Sequence, residues 1–272
     1  MSNPELDKLI SDTEKYLQNV KTFYPFNIYI EKDIKPAAVK QYKEPIVEDV
    51  KVKYDAAPVE EIKPETKVVI EKDLFGNEVT VKEEWEFAET LEQMNEKICN
   101  CQNCALGATR TKFVFGVGNP NADIVLVGEA PGADEDKQGF PFVGRAGQLL
   151  NQILAAVELK REEVYICNIL KCRPPGNRNP LPEEIVQCEP YLKHQLNLIK
   201  PKLILALGKF AADTLLNLNQ PLNKMRGKIH HYSGIKTMVT YHPAALLRNQ
   251  QWKRPTWEDM KQFKKLYDEI KK

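Results

Sequence analysis

"DIVLVGEAPGADEDKQGFPFVGRAGQLL", residues 123–150, runs from an apolar segment through a polar, ring-rich loop into a second apolar segment. The apolar run Ile124 to Val127 breaks at Gly128 into a Gly-Glu-Ala-Pro-Gly turn. Three acidic side chains and a Phe-Pro-Phe follow, and from Gly144 the apolar residues recur at helical spacing. Strand, loop and helix in that order form the repeating unit of parallel sheets. The loop is too polar for a core and too rich in rings for a solvated connection, so it reads as the wall of a site.

The alternation continues outward. "EVYICNI" (163–169), "KLILALG" (202–208) and "KTMVTYHP" (236–243) read as buried strands. "GRAGQLLNQILAAV", "LPEEIVQCEPYLKHQLNLI", "GKFAADTLLNL" and "PTWEDMKQFKKLYDEIKK" carry helical apolar periods. The expected class is α/β: a three-layer α/β/α domain over residues 86–272 with a central, mainly parallel sheet. Ligands of such folds bind beyond the carboxyl ends of the strands. Gly128-Glu129, Asn168 and His242 all fall at that edge, so one shared site is expected there.

Residues 1–85 read differently. Leu6, Leu9, Ile10, Leu17 and Val20 predict a short amphipathic helix, and residues 32–85 mix Pro, Lys and Glu with little periodicity. That composition buries too little surface to offset chain entropy, so a poorly ordered N-terminal extension is expected. Within it, "KVVIEKDLFGNEVTVK" (67–82) is compatible with a β-hairpin turning at Gly76-Asn77. The extension is either a tether for an unknown partner or a solubilising tail.

The net charge of +1 hides an asymmetry: residues 1–90 carry 20 acidic and 13 basic side chains, net −7, and residues 91–272 carry 18 and 26, net +8. A basic globular part suits a polyanion such as nucleic acid, although a solvated surface gives the same imbalance by chance. No run approaches the ~18–20 apolar residues of a membrane span, and "MSNPELDKLI" lacks the pattern of a secretory signal. The expectation is a soluble, cytoplasmic monomer without membrane contact.

Six cysteines in such a compartment need a reason other than disulfides. Cys101 and Cys104 form a C-x2-C pair, and Cys172 and Cys188 are separated by fifteen residues. Four thiolates from two distant pairs suit an iron–sulfur cluster or a zinc ion. The second knuckle of a zinc ribbon is missing, so the spacing leans toward a cluster, with zinc and coincidence as the alternatives. Cys167 reads as a small core residue.

Together, "GEAPG" (128–132), "GFPFVGRAGQLL" (139–150), "NILKCRPPGNRNP" (168–180), the four spaced cysteines and "HPAALLR" (242–248) resemble the family 4 uracil-DNA glycosylases, the iron–sulfur branch of that superfamily. The resemblance covers residues 95 to about 248 and rests on five motifs in order. It implies a structural [4Fe–4S] cluster on Cys101, Cys104, Cys172 and Cys188. It also implies a DNA repair enzyme that hydrolyses the N-glycosidic bond of uracil in single- or double-stranded DNA. A related branch holds uracil covalently through a His in the loop after the third cluster cysteine. Here that loop reads "RPPGNRNP", without a His, which argues for turnover.

The same resemblance assigns roles. Phe142 would stack on the uracil ring, and Asn168 would read its edge. A fixed carboxamide accepts from uracil N3–H and donates to O4, the reverse of what cytosine offers. His242 would donate to O2 as negative charge develops on the departing base. Gly128, Ala130 and Gly132 would line the turn, where better-known relatives carry an Asp at the place of Ala130. Glu129 and Glu135 are the candidate carboxylates for positioning water or stabilising the sugar cation; Asp134 and Asp136 read as solvated. Leu246 or Leu247 would wedge into the vacated base stack, with Arg248 on a phosphate. Arg145, Arg173, Arg178 and Lys171 would extend the backbone contact. Each role has a plainer reading: a buried Phe, a capping Asn, a turn His, or solubilising Arg and Lys. The alternative function is a non-catalytic iron–sulfur DNA-binding or polymerase-accessory module. A phosphotransfer domain is disfavoured, because no G-x-x-x-x-G-K-[ST] occurs.

Overall fold

The structure is a computed structural model that describes residues 69–72, 78–81 and 83–272. The expected helix over residues 6–20 and most of the expected linker lie outside the described residues. Strands β1 (Val69–Lys72) and β2 (Glu78–Val81) pair antiparallel, with Val69 opposite Val81 and Lys72 opposite Glu78, as expected of a hairpin, whose expected turn at Gly76-Asn77 lies outside the described residues.

The main body follows in chain order: α1 (Leu91–Ile98), α2 (Leu106–Thr109), β3 (Val117–Gly118), β4 (Ile124–Gly128), α3 (Ala133–Gln138), α4 (Arg145–Ala156), β5 (Tyr165–Asn168), α5 (Pro182–Ile199), β6 (Leu203–Leu207), α6 (Lys209–Leu216), α7 (Leu222–Met225), β7 (Ile229–Tyr232), β8 (Ile235–Thr240), α8 (Pro243–Arg248) and α9 (Lys253–Lys271). Six strands form one sheet in the order β3-β5-β4-β6-β8-β7. The inner four run parallel and the two edges antiparallel.

The parallel centre follows from composition. Every residue of β4, β5 and β6 is buried, as expected for strands covered on both faces. Side chains alternate between faces along a strand. Val125, Val127, Ile204, Ala206 and Val239 share a core with the apolar faces of α1, α5 and α6. The intervening Ile124, Leu126, Leu203, Leu205 and Met238 are as deeply buried, as are Leu150 and Leu154 of α4 and Met260 and Phe263 of α9. Burying one such aliphatic side chain contributes roughly 1.5–3 kcal/mol, so the strand runs alone supply a large share of the stability.

The two edge strands were not expected. β7, "IHHY", alternates in exposure and has no apolar run to announce it. It is set by the turn into β8, where Ser233 and Gly234 both take positive φ, the two-residue connection that matches the twist of a hairpin. Among the described residues, no helix is long and apolar enough to cross a membrane.

Candidate functional site

Three parallel strands end at one rim. Gly128 closes β4 directly opposite Asn168, which closes β5, while β8 ends at Thr240, two residues before His242. A cavity of about 610 Å³ opens here, lined by Glu129, Phe142, Asn168, His242 and Arg248 among others. The three residues expected to hold a base therefore share a single cavity.

Glycines let these side chains meet. A Cβ on Gly128 would lie 2.3 Å from Asn168 Oδ1 and 2.7 Å from Phe142 Cζ. A Cβ on Gly208, whose φ is +93°, would lie 2.9 Å from His242 Cβ. Phe142 itself has a φ of 53°, a left-handed conformation unusual for a bulky residue. Such strain survives only where the surroundings over-determine it. Gly147, in the first turn of α4, makes the space, since a Cβ there would stand 1.8 Å from Phe142 O. Gly147 and Gly208 were not singled out from the sequence. Only the helix-opening pattern of "GRAG" and the strand-to-helix "LGK" hinted at close approach.

Asn168 is 2 % exposed, and its Oδ1 has no hydrogen-bond partner within the protein. Buried acceptors are normally paired, so an orphaned one on a residue that lines a cavity is left available to a ligand donor. His242 caps α8: the Ala244 N–H donates to its Nδ1 at 3.2 Å, which puts the proton of the neutral ring on Nε2. Burial, with a smaller contribution from the Arg248 charge, pushes its pKa down to about 4. At neutral pH the ring is therefore an uncharged Nε2–H donor. Thr240 beneath it donates to Asp259, which Arg226 grips at 2.8 and 3.0 Å, so the end of β8 is anchored from below.

The two candidate carboxylates differ sharply. Glu135 accepts from the backbone N–H groups of Gly132, Val143 and Gly144 at 3.0–3.1 Å, stitching the two loops of the cavity wall together. Glu129 lines the cavity, and burial raises its pKa, with Arg248 acting in the opposite direction. Asp134 is exposed, as expected, but Asp136 is not solvated. It is 4 % exposed and accepts from the Thr111 and Lys112 N–H groups, because the loop before β3 needs an acceptor there.

Around the rim, Arg145, Leu247 and Arg248 are exposed, and Arg173 is half-buried with its Nε on Asn177. Arg178 lines the cavity but holds Glu184 through both guanidinium nitrogens, at 2.5 and 2.9 Å. Leu246 is 1 % exposed and packed into the body, so of the two wedge candidates only Leu247, at 36 %, stands free. Lys171 is also not a surface cation: it is wholly buried, with Nζ on Asn168 O and Gln195 Oε1.

Cys101 and Cys104 stand just before α2, Cys172 follows β5, and Cys188 lies within α5; none is in a disulfide. Donors are aimed at three of the sulfurs. Tyr191 Oη donates to Cys101 Sγ at 3.2 Å, Arg110 to Cys172 Sγ at 3.4 Å and the Lys171 N–H to Cys188 Sγ at 3.3 Å. Cys172 feels the charges of Cys104 and Cys101, and Cys188 feels those of Cys172 and Cys104, so the four sulfurs form one neighbourhood. Burial raises the Cys172 thiol to about 11 and the Cys188 thiol to about 12. Among the described residues, no three His, Cys, Asp or Glu converge as a site for one metal ion. Cys167 is a buried core residue, as expected.

Comparison with known proteins gives the same direction. Residues 115–264 match the family model of the uracil DNA glycosylase superfamily. Over 186 residues the chain is 45 % identical to a type-4 uracil-DNA glycosylase of Archaeoglobus fulgidus, covering 65 % of this chain and 94 % of that protein. A type-4 uracil-DNA glycosylase of Thermotoga maritima is 43 % identical over 180 residues, covering 65 % and 94 %. One of Sulfurisphaera tokodaii is 41 % identical over 187 residues, covering 65 % and 85 %.

Proposed function

The chain belongs to the uracil-DNA glycosylase superfamily, in its type-4 branch, and from that premise we propose that it excises uracil from DNA by hydrolysing the N-glycosidic bond. The observation that carries this reading is the unpartnered Asn168 Oδ1 in a cavity shared with Phe142 and His242. Among the bases, uracil and thymine present an N3–H donor flanked by two carbonyls; cytosine presents an acceptor at N3. A cytosine would leave Asn168 facing acceptor to acceptor, at about 1–3 kcal/mol.

The base must leave the duplex to reach the cavity, which costs a few kcal/mol of unstacking. Phe142 offsets part of this by stacking, worth roughly 1–3 kcal/mol. Leu247 is placed to fill the vacated stack, and Arg248 and Arg145 to meet phosphates. The N1–C1′ bond breaks with its electron pair moving onto the base. His242 Nε2–H then donates to O2, where the charge accumulates, and the interaction strengthens only as the bond breaks. A neutral imidazole serves here because the proton that reaches the base comes from water and His242 need only hold its hydrogen bond. Glu129 faces the sugar side and supplies negative charge for the sugar cation and a contact for water. Water adds its hydroxyl to C1′, and its proton ends on the released uracil, leaving an abasic site. Glu135 works as the clamp of the cavity wall.

The four cysteines fit a [4Fe–4S] cluster. The donor set is all sulfur, and N–H and O–H donors point at three of the four sulfurs, as suits sulfurs that would carry charge when they ligate iron. When bound, the cluster supplies a structural cross-link between α5, the start of α2 and the segment after β5. The accessory-module alternative is not favoured, because a polymerase accessory has no use for an unpaired acceptor beside such a cavity. A monomer acting in the cytoplasm suits this chemistry, with residues 86–272 as the catalytic domain.

The test is direct. A labelled oligonucleotide with one uracil, treated with alkali after incubation with cluster-loaded protein, should break at the uracil. An intact strand, single or double, defeats the proposal.

A further inference from the structure

The edge of the sheet fails beside the residue that reads the base. β3 pairs with β5 only at Val117–Ile166 and Gly118–Tyr165. Continued by two residues, that register would set Phe115 against Asn168. The chain bends away instead at Gly116, φ +151°, where a Cβ would stand 2.5 Å from Tyr165 Oη. The outer backbone of Asn168 is thus left without a strand neighbour, and two side chains replace it. Lys171 Nζ donates to Asn168 O at 2.8 Å and to Gln195 Oε1 at 2.6 Å. Gln195 Nε2 donates onward to Phe115 O at 3.0 Å. Both side chains are wholly buried, so neither bridge member can be exchanged for water without opening the core.

The same lysine is also wired to the cysteines. Its N–H donates to Cys188 Sγ, and it immediately precedes Cys172 in the chain. Resting on the uracil-excision reading, we infer that Lys171, through Gln195, is a positioning residue: it fixes the backbone of Asn168, and so the uracil-reading carboxamide, and joins that pose to the cysteine-held segment. The bridge replaces the rigidity that a longer β3 would give, and it explains why a buried lysine lies between a sheet edge and the sulfurs.

Lys171→Met keeps the apolar stem and removes both donors. In the full, cluster-loaded chain, its turnover of a uracil oligonucleotide should fall by about tenfold or more, and inhibition by free uracil should weaken in step. The KM for DNA and the visible absorbance of the cluster should stay at wild-type values, whereas general damage would move them too. Combined with Asn168→Ala, the second substitution should add little, because both act through one group. Wild-type turnover and uracil inhibition in Lys171→Met, or losses that multiply with Asn168→Ala, overturn the inference. If Lys171→Met loses its cluster or fails to fold, Gln195→Met, which touches no cysteine, should show the same pattern more weakly; wild-type values there overturn it equally. A wild-type chain that cleaves beside an indifferent variant sinks this inference alone, and a wild-type chain that does not cleave sinks the functional reading with it.

Discussion

The ring of Phe142 lies 5.4 Å from the ring of His242, centroid to centroid, with their planes 31° apart. A base sandwiched between two rings needs about 7 Å, twice the ordinary contact distance. On the proposed reading, uracil would stack on Phe142 alone and meet His242 at its edge, where O2 lies. Under that reading the spacing divides two tasks, holding the base and stabilising its charge, between two residues.

His242→Ala removes the donor aimed at the developing anion. The expected loss in kcat is about 10²–10³-fold, with KM for DNA little changed. Single-turnover kinetics on a uracil oligonucleotide check it.

The low pKa of His242 has a pH signature. An exposed His titrates near 6.5, whereas the folded ring stays neutral until about 4. As pH falls from 6.5 toward 4 the unfolded chain binds a proton that the folded chain refuses, so stability contributed by the neutral ring declines through that window. Turnover at saturating substrate should show no His242 ionisation between pH 7 and 5. The Tm of His242→Asn should depend less on pH over this window than that of the wild type. Equal slopes count against the buried neutral ring.

The two carboxylates are told apart by substitution. Glu129→Gln should lower kcat and leave Tm unchanged or raised, since it neutralises a partly desolvated charge. Glu135→Gln turns one backbone-bonded oxygen into an amide donor facing an N–H. It should lower stability by about 1–3 kcal/mol and raise KM as the wall loosens. Thermal melts beside steady-state kinetics distinguish the two.

Gly128→Ala tests the packing that the rim requires. Its methyl would collide with Asn168 Oδ1 and the Phe142 ring, so activity should fall by at least about tenfold while the parallel core stays intact. Activity assays alongside circular dichroism read both.

The layered fold was legible because β4, β5 and β6 are buried on both faces, and an unbroken Val/Ile/Leu run has few other solutions. β7 was not, since half-exposed "IHHY" owes its strand to its neighbour and to the Ser233-Gly234 turn. At the site, strand ends pointed to Asn168 and His242. The resemblance supplied Phe142, whose left-handed backbone is accommodated by Gly147 five residues on, a close approach that apolar periodicity does not reveal. Charge patterns misled where burial decides: Asp136 and Lys171 look like surface residues in the sequence, yet each satisfies backbone groups inside the fold.

The most direct measurement is a crystal structure of the chain with free uracil. The base should lie flat on Phe142, with N3–H on Asn168 Oδ1 and O2 on His242 Nε2. Uracil bound elsewhere, or in this cavity with its N3 edge turned away from Asn168, would contradict it.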